Sequence, residues 1–358
     1  MQDIPAHDLR PRRRLSWRAM LAGGPSLARR TGIAGIAGLV GLAGLLGLAG
    51  LAAGSSAFAV AGAAPAAAPA APAPRPAPAA AGAPTPDYAV RLTRPSAVGD
   101  TRLAVGSLQS DDHLTGSRDG TPSDQRQTAT IRYVVATEIL EVSPKGNAQR
   151  ATLTVRKLTK ESAGVSLELA KPGALVSARL VGRERVFELL GARLAPDVQQ
   201  ALAAAVPLRA DDEPTDDDLF GSARRRRVGE SWPANGELFA SFGATSLTFD
   251  PKDVTGTVTL GAVRPVHGQS CLEVRWKLEA RHGAFKPGGL PLGFTGTTSS
   301  MSVAGSVLVP VDPALPLAGR EAAITAVADI GGVSEGGASL SLHHELRQAS
   351  HVELSRVP

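Results

Sequence analysis

Apolar and polar residues alternate along several stretches of the chain. In residues 271–280 the apolar positions share one parity, and they are Leu272, Val274, Trp276, Leu278 and Ala280. Because successive side chains on a strand point to opposite faces, this period of two predicts an antiparallel strand with one buried and one solvated face. Similar alternation occurs in residues 303–311 and 340–354.

Two further stretches complete the predicted architecture. Residues 130–142 are rich in β-branched residues and are separated by a turn at 143–147 from a second alternating stretch, 151–158, which together predict a hairpin. Residues 194–206 include the run PDVQQALAAA, in which Pro196 suits the first turn of a helix. We therefore predict a mainly β, antiparallel fold with curved sheets and one short helix around 194–206.

A short motif occurs twice, as VGDT at 98–101 and as VGES at 228–231. Each copy is followed by a turn glycine, Gly146 or Gly268, and then by an alternating stretch. We predict two similar β-rich halves, 87–210 and 228–358, joined by a charged linker loop at 211–227.

The motif Val228-Gly229-Glu230-Ser231-Trp232 and the strands predicted after it resemble a segment of uncharacterised exported β-rich bacterial proteins. The resemblance covers the second half of the body. It implies export and a β-rich fold, and it implies no activity.

Residues 1–59 are predicted to be a targeting segment. Residues 32–54 are uncharged and apolar, with glycine at every third position as far as residue 50, and they follow Arg29 and Arg30. This pattern favours twin-arginine export over the Sec route. The sequence Ala57-Phe58-Ala59 suits signal peptidase, so we expect a periplasmic or extracellular protein after cleavage near Ala59. The alternative is an inner-membrane anchor formed by residues 32–54.

Two features refine the predicted N-terminal region. Translation from Met20 in place of Met1 would give a signal of ordinary length, and we expect this start. Residues 60–86 consist almost entirely of Ala and Pro, a composition that predicts a disordered spacer before the folded body.

Charge and cysteine content limit the possible partners. The chain has a net charge of +5, and the seven arginines of residues 1–59, set against Asp3 and Asp8, already carry a net +5. The body is therefore close to neutral, which argues against nucleic-acid binding. We expect membrane contact only through the N-terminal segment. Cys271 is the single cysteine, so no intrachain disulfide can form.

The linker holds the densest charge in the chain. Six acidic residues between Asp211 and Asp218 precede Arg224, Arg225, Arg226 and Arg227. The acidic spacing lacks the order of a calcium-binding EF-hand loop. We expect a solvated loop whose opposite charges compensate each other.

Three histidines lie near the C-terminus. On one strand, His343 and His351 would share a face but stand about 26 Å apart at 3.3 Å per residue, which excludes a shared metal ion. His344 faces the other way, together with Leu342 and Leu346, and we expect it to be a buried histidine with a hydrogen-bond partner.

The other candidates for catalysis are also interpreted as structural. Asp111, Asp112 and His113, with Asp119 and Asp124, lie in a polar stretch predicted to be a solvated loop, where acid–base chemistry would lack the required burial. Cys271 falls on the polar face of its predicted strand, and the nearby His267 does not by itself make a nucleophile of it. We predict no catalytic, cofactor-binding or metal-binding residue and no cofactor.

Three functions follow in order of preference. The first is a non-catalytic cell-envelope protein that binds an envelope protein or another ligand or acts as a structural module. The second is a carrier of an amphiphilic ligand in a cavity of the sheet, with the predicted helix as its lid. The third is a hydrolase that uses the Asp111–Asp124 stretch.

Overall fold

The structure is a computed structural model that describes residues 86–241, 247–285, 294–333, 337 and 339–356. The predicted targeting segment, and the predicted spacer as far as residue 85, lie outside these ranges. Among the residues it describes, no helix combines the length and the apolar character needed to cross a bilayer. The fold is mainly β and its strands pair in antiparallel fashion, as predicted.

The first half of the body contains strands β1 to β8 and helix α1. Their bounds are β1 Asp87–Tyr88, β2 Thr101–Arg118, β3 Thr121–Val142, β4 Ala148–Ser162, β5 Val165–Glu168, β6 Leu175–Val181, β7 Glu184–Leu189, β8 Ala192–Arg193 and α1 Pro196–Ala203. Helix α1 begins at the proline that the sequence placed in its first turn, and it confirms the helix predicted around 194–206.

The linker and the second half contain two more short helices, which the sequence analysis did not predict. The bounds are α2 Asp216–Phe220, β9 Arg226–Arg227, β10 Ser231–Pro233, α3 Gly236–Ser241, β11 Leu247–Thr248, β12 Val254–Val266, β13 Gln269–Ala280, β14 Ala284–Phe285, β15 Phe294–Pro310, β16 Gly319–Val333 and β17 Ser339–Ser355. A 3₁₀ turn at Pro251–Asp253 precedes β12.

One sheet holds most of the strands, in the order β10-β12-β13-β15-β16-β17-β2-β3-β4-β6-β7-β8, with β5 paired to β4. Its middle pair, β17 and β2, runs in register from Leu103 opposite Ser355 to Arg118 opposite Leu340. This pair joins the two halves of the chain, so strands of the second half lie on one side of it and strands of the first half on the other.

The repeated motif forms the same turn in both copies. Gly99 (φ 86°) donates its backbone N–H to the carbonyl of Ile139, and Ile139 donates its own N–H to the carbonyl of Asp100. In the second copy Gly229 (φ 89°) and Glu230 make the corresponding two bonds with Leu260. Each turn leads into a strand that pairs with the strand to which the turn is hydrogen-bonded. The first leads into β2, which pairs with β3, and the second leads into β10, which pairs with β12.

The stretch predicted as a solvated loop around Asp111–Asp124 is instead part of a long hairpin, and that prediction is wrong. β2 and β3 pair continuously from Thr101–Glu138 to Arg118–Thr121. Their two-residue turn, Asp119 and Gly120, has positive φ at both positions, as a type I′ turn requires. The ladder from β17 holds β2 in place even where its composition is polar.

The first half has a continuous apolar core on one face of the sheet. Its largest fully buried side chains include Tyr133, Leu153, Leu158 and Phe187. Helix α1 belongs to this core, because Val198, Ala201 and Leu202 belong to the same buried cluster. The cluster also contains Val352 and Leu354 of β17, so it extends across the junction between the halves.

The alternation predicted for 271–280 is confirmed, because the five apolar residues of even number are all buried. Cys271 differs from the prediction: it lies on the other face but is also fully buried. In the second half Trp276 stacks on Phe220 of the linker helix α2, with 4.7 Å between ring centroids. The linker therefore packs against the sheet.

Candidate ligand-binding cleft

An open cleft lies at one end of the large sheet. Its walls come from the start of β2, the end of β17, the β12–β13 turn, the loop between β15 and β16, and the chain before β2. The register brings these segments together, because β2 begins beside the end of β17 and β16 begins opposite Glu353. The volume is about 420 Å³, within the range of roughly 300–1,000 Å³ typical of small-molecule sites.

Arginine dominates the charge of the cleft. Arg94, Arg102 and Arg356 line it together with one carboxylate among the lining residues, that of Asp100. With His267 neutral, the lining carries a net charge of +2. Arg102 Nη2 lies 3.5 Å from Asp100 Oδ2, an oxygen that also accepts the backbone N–H of Ala97 at 2.8 Å.

Arg94 has incomplete hydrogen bonding. Its Nη2 donates to the carbonyl of Pro310 at 3.1 Å, while its Nε is buried with no acceptor among the described residues. Burial lowers the pKa of both Arg94 and Arg102. A guanidinium still keeps its charge at neutral pH, so both side chains are cations in a partly desolvated setting.

The rest of the lining is mixed. Polar residues lie beside an apolar wall that includes Pro95, Leu315, Leu317, Ala318 and Leu354, and the last two are buried. The polar residues are Thr101, His267, Gln269 and Ser355. Backbone hydrogen bonds fix this wall, because Ala318 donates to the carbonyl of Leu308 and Leu354 donates to that of Ala318, each at 3.0 Å. An apolar wall with a few charged donors is the usual composition of a small-ligand site.

The acidic and histidine residues predicted around Asp111–Asp124 are divided between two faces of β2. His113 Nε2 lies 3.0 Å from Asp124 Oδ1, and these side chains are exposed. The neighbouring Asp112 accepts from Nε2 of the buried His344 at 2.7 Å. Adjacent positions on a strand point apart, so Asp112 and His113 form no joint acid–base site.

The remaining residues of that group have separate partners. Asp111 accepts two hydrogen bonds from Arg126, at 2.9 and 2.6 Å, and these bonds lower the pKa of Asp111. Asp119 accepts the backbone N–H of Ser339 at 2.7 Å beside the β2–β3 turn. These contacts stabilise the hairpin and its neighbour β17.

The prediction that His344 is a buried histidine with a hydrogen-bond partner is confirmed. His344 is 4% exposed on the same face as the buried Leu342 and Leu346, and it has a carboxylate partner. His343 and His351 lie on the opposite face and pair with different carboxylates of β16, Asp329 at 2.8 Å and Glu321 at 3.2 Å. Among the described residues, no three His, Cys, Asp or Glu side chains could hold one metal ion.

The charged linker is not the solvated loop that its composition predicts. Asp216 Oδ2 lies 3.0 Å from Arg320 Nη1, and both side chains are nearly buried. Burial raises the pKa of Asp216, against the opposing effect of Arg320. Asp217 accepts the backbone N–H groups of Leu92 and Thr93 at 2.7 and 3.0 Å. Asp218 completes a capping box with Thr215 at the start of α2.

Two of the four linker arginines, Arg226 and Arg227, also make structural contacts. Arg226 is buried, with its guanidinium carbon 4.9 Å from the ring centroid of Trp232. Arg227 pairs with Asp87 at 2.9 Å across the β1–β9 pair. These contacts tie the start of the body to the linker.

Cys271 has the properties of a structural residue. It is fully buried, and burial raises the pKa of its thiol, the opposite of what a nucleophile needs. His267 lies in the exposed β12–β13 turn and lines the cleft.

Sequence reasoning missed the cleft. Arg94 and Arg102 are eight residues apart, but Arg356 lies near the C-terminus and no spacing relates it to them. A weak signal exists in the loop at 312–318, DPALPLA, whose prolines and leucines are unusual for a solvated connection. The pairing of β17 with β2 brings Arg356 to Arg102.

The fold and the cleft define an antiparallel β protein with an open pocket at the end of its sheet. No protein-family model and no curated protein matches the sequence. Among solved structures the chain is similar to that of P47 from Clostridium botulinum A2, with 8% identity, 71% of this chain and 81% of that chain covered, and a TM-score of 0.14. A likeness this weak supports no inference about this chain.

Proposed function

We propose that this chain is an exported, non-catalytic cell-envelope protein that binds a small ligand in the cleft at the end of its sheet. The observation that carries the proposal is the cleft, which combines a volume of about 420 Å³ with an apolar wall and partly buried arginines. Export rests on the pattern of residues 1–59. The hydrolase alternative would need a site other than Asp112 with His113, because these side chains lie on opposite faces of β2.

The proposed site differs from the cavity that a helical lid would enclose. Helix α1 packs into the core through Val198 and Leu202, and none of its residues lines the cleft. The ligand would instead enter at the strand ends, beside the loop between β15 and β16. A carrier role is compatible with this position, but it requires release as well as binding.

Native mass spectrometry of the protein purified from its host tests the proposal. We expect a retained small molecule in the wild type and its loss in Ala314→Trp, which places a large ring among the cleft residues. The matched control is Val311→Trp, because Val311 is 43% exposed in the same loop but does not line the cleft. A wild-type mass equal to the bare chain, or retention by Ala314→Trp, would contradict the proposal.

A further inference from the structure

We propose that the cleft selects an amphiphile with an anionic headgroup, a carboxylate or a phosphate monoester, and rejects its neutral counterpart. This inference rests on the proposed function and names the ligand class of the same site. Its basis is the pairing of arginine donors with an apolar wall in one cleft.

Acceptors are scarce among the residues that line the cleft. Three arginines line the cleft, and Asp100 is the one carboxylate among the lining residues. An anionic oxygen bound in the cleft would accept hydrogen bonds from the N–H groups of these arginines. The planar guanidinium matches carboxylate and phosphate oxygens in particular, because it offers parallel N–H groups.

The carboxylates near these arginines each accept a backbone hydrogen bond. Asp100 accepts the N–H of Ala97, and Asp312 accepts that of Ala314 at 2.9 Å. Asp217, which acts electrostatically on Arg94, accepts from the backbone at residues 92 and 93. Asp100 is the one of these carboxylates that lines the cleft, so the lining residues carry a net +2, while Asp217 and Asp312 offset charge on Arg94 from outside the lining.

The apolar wall of the cleft suits an alkyl chain attached to the headgroup. Leu315, Leu317 and Leu354 line the same cleft, so the headgroup and an alkyl chain could be bound together. Burying each CH₂ group against such a wall contributes about 0.8 kcal/mol. A free anion would gain only the contacts with the arginines, whereas an amphiphile gains both contributions.

Titration calorimetry on the delipidated protein separates these contributions. The probes are decanoate, decyl phosphate, 1-decanol and inorganic phosphate. We expect binding of decanoate and decyl phosphate, at least about tenfold weaker binding of 1-decanol, and the weakest binding of inorganic phosphate. Equal affinity for decanoate and 1-decanol would overturn the assignment of an anionic headgroup, and tighter binding of inorganic phosphate than of decyl phosphate would overturn the assignment of an amphiphile.

Variants locate the binding. Arg102→Gln and Arg94→Gln should each weaken decanoate binding by about tenfold or more, while Arg126→Gln, on the outer face of β3, should leave it unchanged. Arg356→Gln changes an exposed side chain of the same cleft. If Arg94→Gln and Arg102→Gln unfold the protein, decanoate binding by Arg356→Gln provides the test. Decanoate affinity that is the same in the wild type and in the folded arginine variants would refute the inference.

The two proposals can fail separately. A host-purified protein that retains a molecule lost in Ala314→Trp, but binds neither decanoate nor decyl phosphate, would keep the ligand-binding function and refute the anionic amphiphile. A protein that retains nothing and binds none of the four probes would refute both.

Discussion

His344 Nε2 donates to Asp112 Oδ1 at 2.7 Å across the pair of strands, β17 and β2, that joins the two halves of the chain. His344 is 4% exposed, and its Nδ1 is buried without a partner among the described residues. The imidazole therefore depends on this one carboxylate. The contact lies on the apolar face of the sheet, at the pair of strands where the two halves of the chain meet.

Asp112→Ala should destabilise the protein by about 1–3 kcal/mol, because it leaves a buried imidazole with no partner for either nitrogen. Urea unfolding measures the change. The control is Asp124→Ala, which removes the carboxylate partner of His113. His113 lies next to Asp112 on β2 but is more exposed than His344, so this change should cost less than about 0.5 kcal/mol. The double variant Asp112→Ala/His344→Leu should recover part of the loss. Equal costs for the two alanine variants would contradict this role.

The repeated turn allows a prediction about both halves at once. Gly99 and Gly229 have φ of 86° and 89°, and nothing lies within 4 Å of a Cβ built on either residue. The cost of alanine therefore comes from the backbone alone, so Gly99→Ala and Gly229→Ala should each destabilise by about 1–2 kcal/mol.

The comparison needs controls next to each turn. Val98→Ala and Val228→Ala change exposed neighbours and should have little effect on the urea midpoint. A large loss at one glycine and none at the other would show that the two turns are not equivalent, despite their matching hydrogen bonds with Ile139 and Leu260.

Local pattern was sufficient for part of this fold. The alternation at 271–280, the hairpin around 143–147 and the helix at Pro196 all follow from local residue preferences, and the structure has them. The repeated motif was visible in the sequence, but the turn that it forms around Gly99 and Gly229 was not predicted.

Long-range pairing explains what the sequence did not predict. The polar half of the β2–β3 hairpin has little intrinsic strand preference, and it is held by β17 from the other end of the chain. The signal that was overlooked is Asp119-Gly120, a typical two-residue hairpin turn. Burial of Asp216 and the approach of Arg356 to Arg102 depend on contacts with distant residues, so neither could be read from local spacing.

The pair between Asp111 and Arg126 should make stability depend on pH in acid. Hydrogen bonds from Arg126 lower the pKa of Asp111 below its ordinary value of 3.8. A lowered pKa in the folded state means that the stabilisation is present above pH 3.8 and is lost as the pH falls through the folded value. Asp111→Asn should therefore reduce the unfolding free energy slightly at pH 7 and progressively less below pH 3.8. A wild-type advantage that persists unchanged into strong acid would contradict this assignment.

The ion pair between Asp216 and Arg320 should be the most sensitive contact of the linker. Its side chains are only 13% and 11% exposed, and the Arg320 guanidinium carbon lies 5.9 Å from the ring centroid of Trp276. Asp216→Ala should cost about 3–5 kcal/mol, because it takes away a carboxylate in direct contact with a nearly buried guanidinium. Urea unfolding followed by tryptophan fluorescence reports on the same region. Asp212→Ala, in an exposed pair of the same linker, should unfold at the wild-type midpoint. If both variants unfold at that midpoint, the linker does not contribute to the core of the second half.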